Sequence, residues 1–482
     1  MRAISVAVVV SLLATGACGA RWTDDQRATV VARAAGSSAS GGSGSGGGGR
    51  ATSTANGGPA GTVPTGSPGA GGAVDASAGS GGSTGGSGGN DGGGATTPGA
   101  GGGDASAGST ARPCEAHSDA PGVTDSQLTI GSISSLSGPV PGLGSAPAAA
   151  VRAYVAYRNA TGGVCGRQVV LREADDGTDN GRYRAVLSEM EPTVFGIAGG
   201  FPIGDPGGLD VVPRTGIPIV DSPSAQAVAD LPTVFDIVPA YDDPHEVTAK
   251  YRYLYEQGAH TVALAYLAVD QSRYEANLQK ALMEAAGMQV VLQDELPLST
   301  LSYDAPARAV ANSGADYMFF IADINGEAAM AHSMADTGYQ LKFSEYYNYA
   351  YGTPFLELAG DTAEGTLAWL RTLPTEEAST NAELAAFVEW MGQIAPEADL
   401  DQVSGDSWAA TKAFMDGLEA LPGPITRESF VAQLASTVDY DADGMYGPIR
   451  LGAERTNACF VGMQVQGGRW VRLAPTGSGF LC

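Results

Sequence analysis

The four histidines of the chain are the first candidates for catalysis or metal binding. His117, His245, His260 and His332 show neither the HxxxH nor the HExxH spacing that places two imidazoles on one helical face. The region after residue 112 also lacks a GxSxG nucleophile elbow and a phosphate-binding loop. We therefore expect no catalytic residue, no enzyme activity, no metal and no cofactor.

Cysteine chemistry points to structural disulfides. Apart from Cys18, the chain has Cys114, Cys165, Cys459 and Cys482, and an even number of cysteines is typical of exported proteins with disulfides. Four cysteines allow three pairings. Residues 459 and 482 flank a predicted hairpin, so we expect disulfides 459–482 and 114–165. No CxxC spacing is present, which argues against zinc.

The first residues of the chain carry a targeting signal. Arg2 precedes an apolar run over residues 4–13, which is too short to span a membrane. Thr15, Gly16 and Ala17 then lead into Cys18, an arrangement that resembles a bacterial lipobox. We expect a lipoprotein signal peptide over residues 1–17 and lipidation of Cys18. An ordinary cleaved secretory signal is the alternative, and both export the chain from the cytoplasm.

Residues 18–112 predict a disordered linker. Most of the surplus among the 69 glycines lies here, with Ser, Ala and Thr and no apolar periodicity. A flexible coil of about 95 residues reaches about 55 Å on average. We expect this segment to tether a folded domain to a lipid anchor, on the cell surface or the periplasmic side of a membrane.

Charge excludes one class of partner. The chain has 26 Lys and Arg against 52 Asp and Glu, for a formal net charge of −26. Such an acidic chain is repelled by nucleic acid and by anionic membrane surfaces. We expect no nucleic-acid partner.

From residue 123 the chain alternates strand-like and helix-like runs. This alternation predicts βαβ units and an α/β fold with parallel sheets. The predicted strands cover residues 128–133, 169–173, 195–198, 217–220, 261–267, 288–292 and 317–321, and the predicted helices cover 147–159, 245–257 and 274–286. Two such series predict two lobes with a ligand between them, at the carboxyl ends of the strands.

Several motifs, taken in order, resemble the leucine/isoleucine/valine-binding type of periplasmic binding protein, the substrate-binding lipoproteins of ABC transporters. The resemblance covers residues 123–482. The motifs that carry it are Ser137-Gly138-Pro139, Asn159, Gly162-Gly163-Val164, Gly166-Arg167, Asp175-Asp176 with Asp179, Gly216-Ile217-Pro218-Ile219-Val220, Gly365 and Tyr446-Gly447-Pro448-Ile449. It implies two Rossmann-like lobes joined by a three-strand hinge. Lobe one would take about 123–241 and 372–446, and lobe two about 242–371 and 447–482.

The resemblance also implies where a ligand carboxylate would bind in lobe one. Backbone amides and hydroxyls of two loops would hold it, and amides at a helix start suit an anion. The residues implied are Gly200, Phe201, Ser222, Ser224, Ala225 and Gln226. The alternative is that Ser222 and Ser224 are helix N-caps. A serine is usual in the family at the position of Gly200.

The ammonium half of an amino acid would face lobe two. The resemblance places Asn348 where the family often has a carboxylate, and Asp323 could supply the missing charge. Tyr274 falls near the aromatic wall of the family's cleft. Tyr347 belongs to a tyrosine-rich loop over residues 345–351, near the position where the family uses an acidic residue and tyrosines. A neutral amide or an aromatic acid would suit this loop equally well.

By resemblance, the protein is an extracytoplasmic solute-binding lipoprotein. It would capture a small polar ligand, an amino acid, possibly branched-chain, or a related amide, by hinge closure. It would act as a monomer and deliver the ligand to an ABC permease and its ATPase subunits. The alternative is a ligand-binding sensor that reports to a membrane receptor or regulator.

Overall fold

The computed structural model describes residues 113–139, 142–238, 249–347, 350–451 and 459–482. The predicted signal peptide, Cys18 and the predicted linker 18–112 lie outside these ranges, as do Asn348 and the predicted crossing between lobes near Tyr241. Among the described helices, none is both long and apolar enough to cross a membrane.

Lobe one is built on a parallel sheet. Its strands are β1 (Gln127–Ser134), β2 (Gln168–Asp175), β3 (Ile197–Ala198), β4 (Ile219–Asp221) and β5 (Val234–Asp236). Within the described residues they follow the order β2-β1-β3-β4-β5, and every pairing is parallel. The inner strand β1 has fully buried Leu128, Ile130 and Ile133, because a parallel sheet is covered on both faces.

Four helices of lobe one connect these strands. They are α1 (Ser145–Ala160), α2 (Asn180–Met190), α3 (Val211–Thr215) and α4 (Gln226–Ala229). The helix α2 begins after Asp179, whose carboxylate accepts a hydrogen bond of 2.7 Å from the amide of Arg182. This contact satisfies one of the amides that a helix start leaves unpaired.

Lobe two contains a larger, mixed sheet. Its helices and strands in chain order are α5 (Ala249–Glu256), β6 (Thr261–Leu267), α6 (Asp270–Ala285), β7 (Gln289–Leu296), α7 (Asp304–Ser313), β8 (Tyr317–Ile321), α8 (Ile324–Thr337), β9 (Phe343–Tyr346), α9 (Thr353–Ala359) and β10 (Thr366–Leu370). In the described chain the strand order is β12-β11-β10-β9-β8-β6-β7. The last two strands, β11 (Val461–Gln466) and β12 (Arg469–Ala474), form a hairpin. All pairings are parallel except those of β11, which runs antiparallel to β10 and β12.

After β10 the chain returns to lobe one. Helices α10 (Ala382–Ile394), α11 (Gln402–Glu419) and α12 (Arg427–Ala435) follow. Trp408 of α11 is fully buried and packs edge-on against Tyr154 of α1, with ring centroids 4.8 Å apart. Its Nε1 donates to Glu383 of α10 at 2.7 Å. Buried aromatic pairs of this kind add to area burial, so this cluster fixes α10 and α11 to lobe one.

Two of the chain's crossings between the lobes lie side by side. Residues 372 and 446 form an antiparallel bridge. The amide of Leu373 donates to Met445 O, and the amide of Gly447 donates to Arg371 O, both at 2.7 Å. The paired crossings form a narrow, hydrogen-bonded connection between the lobes.

Both predicted disulfides are present, Cys114–Cys165 and Cys459–Cys482. The second bond closes the segment that contains the β11–β12 hairpin, as the spacing of its cysteines predicts. The first joins the start of the described region to the loop before β2.

Candidate ligand-binding cleft

The carboxyl ends of the parallel strands in both sheets open onto one cleft of about 200 Å³. Phe201 follows β3, Ser222 follows β4, Asp323 follows β8, Tyr347 follows β9 and Arg371 follows β10. Loops at strand ends are where open α/β sheets bind ligands. The remaining lining residues are Leu143, Pro223, Ser224, Ala225, Gln226, Ala229, Asp236, Val238, Leu267, Val269, Gln271, Ser272, Tyr274, Glu275, Leu278, Leu298, Ile321, Ala322, Val403 and Asp406.

Gly200, which the resemblance implies in ligand binding, lies behind this lining. A Cβ atom on its backbone would lie 2.3 Å from Ile133 O of β1. A serine at this position, as in the family pattern, has no room beside that carbonyl group. Its neighbour Phe201 lines the cleft instead.

The loop after β4 lines the cleft, but the amide and hydroxyl groups of Ser224 bind other parts of lobe one. Its amide donates to Asp205 Oδ2 at 2.9 Å, and its hydroxyl group contacts Asp205 Oδ1 and Ile203 O. The N-cap of α4 is Ala225, so the alternative that Ser222 and Ser224 cap this helix is wrong. Ser224 holds the shape of the loop through Asp205.

The carboxyl group of Asp205 has a raised pKa. Burial raises its pKa, the hydrogen bonds from Ser224 lower it, and the charges of Asp176 and Asp236 raise it further, to about 7. Burial also raises the pKa of Asp221 well above its ordinary value, with Asp205 and Asp236 adding to the effect. Two carboxyl groups at the loop after β4, those of Asp205 and Asp221, therefore have higher pKa values than exposed carboxyl groups have.

In lobe two, Asp323 and Tyr274 both line the cleft. Asp323 caps α8, since its Oδ1 accepts hydrogen bonds from the amides of Asn325 (2.9 Å) and Gly326 (3.2 Å). The hydroxyl group of Tyr274 donates to Gln226 Oε1 of lobe one at 2.6 Å. This bond connects the two walls of the cleft.

A buried ion pair lies where the cleft meets the crossings. Arg371 and Asp406 form a two-point contact, with Arg371 Nε 3.2 Å from Asp406 Oδ1. Asp406 Oδ1 also accepts from Gln402 Nε2 and from Tyr446 Oη, both at 2.7 Å. Burial opposes the charge of Arg371, but Asp406 raises the pKa of its guanidinium group well above the ordinary value.

The same network contacts both crossings that the structure describes. Tyr446 belongs to the last crossing and Arg371 to the middle one. Tyr446 Oη is also 3.2 Å from Ile237 O, near the end of the described part of lobe one at residue 238. Asp406 thus stands at the point where the two lobes are joined.

Sequence reasoning did not identify Asp236, Glu275, Arg371 or Asp406 as lining residues. Asp236 and Arg371 lie at or directly after the ends of β5 and β10, so the rule that strand ends line the cleft could have identified them. Asp406 lies inside α11 and carries no such signal in the sequence.

A smaller cavity of about 60 Å³ adjoins the cleft, and the two share Val238, Glu275, Leu278, Tyr347 and Arg371. Its lining includes Lys250, whose Nζ lies 2.5 Å from Glu345 Oε1. Tyr317 donates to the other oxygen of Glu345 at 2.5 Å. Burial raises the pKa of Glu345, and Lys250 lowers it in part. Lys250 is therefore paired within lobe two.

Comparison with solved structures places this fold among binding proteins with different ligands. One is a leucine-binding protein from Thermotoga maritima, with 16% identity, a TM-score of 0.59, and coverage of 72% of this chain and 98% of that one. Another is a fatty acid ABC transporter substrate-binding protein from Thermomonospora curvata (18%, 0.60, 73% and 93%). A third is an ABC transporter solute-binding protein from R. palustris in complex with benzoate (17%, 0.59, 74% and 96%).

No curated protein matches the chain. The family model described as periplasmic binding protein matches residues 127–469. That range contains every strand of lobe one and almost all of lobe two, together with the cleft between them. The chain belongs to the periplasmic binding protein family.

Proposed function

We propose that the protein is an extracytoplasmic solute-binding protein that captures a small polar ligand and delivers it to an ABC importer. One observation carries the proposal: the strand ends of two sheets line a single cleft. Its relatives of like fold include ABC transporter binding proteins. We propose a binding role and no catalysis.

Hinge closure is the proposed mechanism. The paired crossings at residues 372 and 446 give the lobes a narrow connection about which they can rotate. The hydrogen bond from Tyr274 to Gln226 joins the walls away from that connection. A ligand that contacts both walls favours the closed form, because it binds that form more tightly than the open one.

The proposed ligand is an amino acid, possibly branched-chain, or a related amide. We propose that its contacts are Phe201, Ser222, Ser224, Ala225, Gln226, Tyr274, Asp323 and Tyr347, with Gly200 and Asn348 as neighbours. The first eight line the cleft, Gly200 lies behind the lining, and Asn348 lies outside the described residues. A leucine-binding protein is among the structures of like fold, which supports this class.

The remaining features of the proposal concern the N-terminal segment, the boundaries of the lobes and the protein partners. We propose that residues 1–17 are a signal peptide, that Cys18 is lipidated, and that the glycine-rich segment up to residue 112 tethers the domain. The lobes would divide near residues 241, 371 and 446. A monomer would dock to the permease, which with its ATPase subunits imports the ligand.

A calorimetric titration of the full chain with amino acids and amides tests the binding role. Thermal unfolding gives a second readout, because a ligand present at 100 times its Kd adds about 2.7 kcal/mol to the free energy of unfolding. The variant Ala225→Trp fills the cleft and is expected to abolish binding. Its matched control, Ala227→Trp, lies on the exposed side of the same helix and should bind as the wild type does. Equal binding by both variants would place the ligand elsewhere and refute the proposal.

A further inference from the structure

The smaller cavity beside the cleft is a polar side cavity built mainly by lobe two. Its lining includes Lys250 of α5, Gln279 of α6, Glu345 of β9 and Trp369 of β10. The exposed fractions of Lys250, Gln279 and Glu345 are 6%, 8% and 3%, so these polar side chains are buried. Five residues line both the side cavity and the cleft, so the two spaces meet. Part of a ligand in the cleft could therefore enter lobe two here.

Lys250 offers N–H groups to this space. Its Nζ lies 2.5 Å from Glu345 Oε1 and 4.8 Å from the ring centre of Phe319. Both of these residues line the side cavity, so the ammonium group lies beside it. An ammonium group has three N–H donors, and within the described residues this one donates a single hydrogen bond, to Glu345. The rings of Tyr251 and Phe319 stabilise its charge but are weak acceptors, so N–H groups remain for a ligand.

Two further donors belong to residues of the same lining. Arg371 uses Nε and Nη2 to bind Asp406, and its Nη1 donates no hydrogen bond to the part of the chain that the structure describes. Trp369 Nε1 is buried and has no hydrogen-bond partner among the described residues. A buried donor without an acceptor costs free energy. These donors therefore suit an oxygen acceptor on a ligand.

The charges of the described lining favour an acceptor without a charge. The side cavity has two cations, Lys250 and Arg371, and two carboxylates, Glu275 and Glu345. Lys250 is paired with Glu345, and Arg371 is paired with Asp406 of the cleft. A ligand carboxylate would bring a further negative charge into a buried space whose cations already have partners, and this is costly. A carbonyl oxygen accepts the same hydrogen bonds and adds no charge.

A carboxamide fits both the chemistry and the size of the side cavity. Its carbonyl oxygen can accept from Lys250 or Arg371. Its NH2 group can donate to Glu275, whose Oε1 accepts a bond of 2.8 Å from Gln279 Nε2, because the two oxygens of a carboxylate offer about four acceptor positions. A space of about 10–15 Å³ admits one water molecule. The volume of about 60 Å³ therefore admits a group of about four non-hydrogen atoms, enough for a carboxamide.

We infer that the side cavity is a subsite for an uncharged carboxamide at the end of the ligand's side chain. The inference rests on the proposed function and narrows its ligand class. The ligand is an amino acid with a side-chain carboxamide, or another amide of that shape, and not a branched-chain amino acid. The cleft takes the rest of the molecule, so that one ligand occupies both spaces.

Amino acids that differ only at the end of the side chain test the inference. The full chain is titrated calorimetrically with asparagine, aspartate and leucine, and with the longer set of glutamine, glutamate and homoleucine. Within each set the side chains have the same branched shape. We expect one carboxamide to bind at least about tenfold more tightly than the acid and the alkyl analogue of its set, as a hydrogen bond from a charged donor predicts.

Two failures are distinguishable. Binding of an acid or an alkyl analogue as tightly as its carboxamide would overturn the inference and leave the proposed function intact. Silence of all six compounds, with binding of another amino acid or amide, would do the same. Failure of every amino acid and amide would refute the proposed function as well.

A variant of Lys250 identifies the contact. Lys250→Met removes the ammonium group and keeps an unbranched side chain, while Glu345 retains its hydrogen bond from Tyr317. We expect it to weaken carboxamide binding about tenfold and to leave binding of the alkyl analogue unchanged. The control is Lys342→Met, at an exposed residue directly before β9, which should change neither. Equal carboxamide affinities of the two variants would overturn the inference.

A second pair of variants covers the case in which Lys250→Met does not fold. Trp369→Phe removes an N–H group that has no partner among the described residues, so it breaks no hydrogen bond of the protein. It should also weaken carboxamide binding and spare the alkyl analogue. The control is Trp470→Phe, because Trp470 Nε1 donates to Gly352 O at 3.3 Å, away from both cavities. Equal carboxamide binding by these two variants would likewise overturn the inference.

Discussion

Replacing Asp406 with asparagine should destabilise the protein strongly, because it leaves Arg371 as a buried charge without an anionic partner. The exposed fractions of Asp406 and Arg371 are 2% and 8%. Asparagine can keep an oxygen where Oδ1 accepts from Arg371, Gln402 and Tyr446, but its NH2 group then faces Arg371 Nη2, which now donates to Oδ2. Removing one partner of a buried pair costs about 3–5 kcal/mol.

This cost can be expressed as a change in Tm. At about 2.1 cal/mol/K per residue, unfolding of the compact unit Thr110–Cys482 has an entropy of about 0.8 kcal/mol/K. We therefore expect Asp406→Asn to lower Tm by about 4–6 °C. Differential scanning calorimetry of the full chain measures this shift.

The chain offers a control with the same geometry in water. Arg184 and Asp210 also form a two-point contact, with Nε 2.8 Å from Oδ1, and their side chains are 58% and 47% exposed. Asp210→Asn changes the net charge equally but should move Tm by no more than about 1 °C. The double variant Arg371→Met, Asp406→Leu should recover most of the loss. Equal Tm values for Asp406→Asn and Asp210→Asn would refute the reasoning.

Three further variants probe the cleft and its support. Tyr274→Phe removes the hydrogen bond to Gln226 and should weaken ligand binding about two- to tenfold in a calorimetric titration, because the closed form loses that contact. Gly200→Ser places a Cβ against Ile133 O and should lower Tm. Asp205 has a folded-state pKa of about 7 and an unfolded value of about 3.9, so the unfolded chain loses this proton first as the pH rises. The free energy of unfolding should therefore fall between about pH 4 and pH 7, by up to about 4 kcal/mol from this group, and Asp205→Asn should flatten that fall in urea titrations.

Each of these variants has a result that would contradict its argument. Unchanged ligand affinity in Tyr274→Phe would show that its bond to Gln226 does not favour closure. Gly392→Ser is the control for Gly200→Ser, since a Cβ at the exposed Gly392 meets open space. Equal Tm values for the two serine variants would contradict the close packing at residue 200. A wild-type stability that rises between pH 4 and 7, with no effect of Asp205→Asn, would contradict the raised pKa of Asp205.

The parts of the fold that the sequence predicts well are those with continuous apolar runs. Strands were expected over residues 261–267 and 317–321, and the structure has Thr261–Leu267 and Tyr317–Ile321, because both strands are buried almost throughout. The strand expected over 195–198 is shorter, Ile197–Ala198. The amide of residue 195 still donates to the backbone of β1, but regular pairing begins only at Ile197. The helix expected over 274–286 starts earlier, at Asp270, since its first turn is polar and carries no apolar period.

Site residues were predictable where a local rule applies, and not where distant residues meet. Cys459 and Cys482 flank one hairpin, so their pairing could be read from a short segment. Asp205 and Ser224 are 19 residues apart, and Arg371 and Asp406 are 35 apart. No local pattern marks those pairs, because Asp205 and Ser224 meet only when β3 and β4 pair, and Arg371 and Asp406 only when α11 packs beside the end of β10.

Hydrogen–deuterium exchange of the full chain, with and without a ligand found by the calorimetric titration, tests the central claim that a ligand binds between the lobes. The account predicts slower exchange on both walls together, in the loop and helix over residues 222–229 of lobe one and in residues 270–279 and 322–326 of lobe two. Protection confined to one lobe, or to residues away from the cleft, would contradict it.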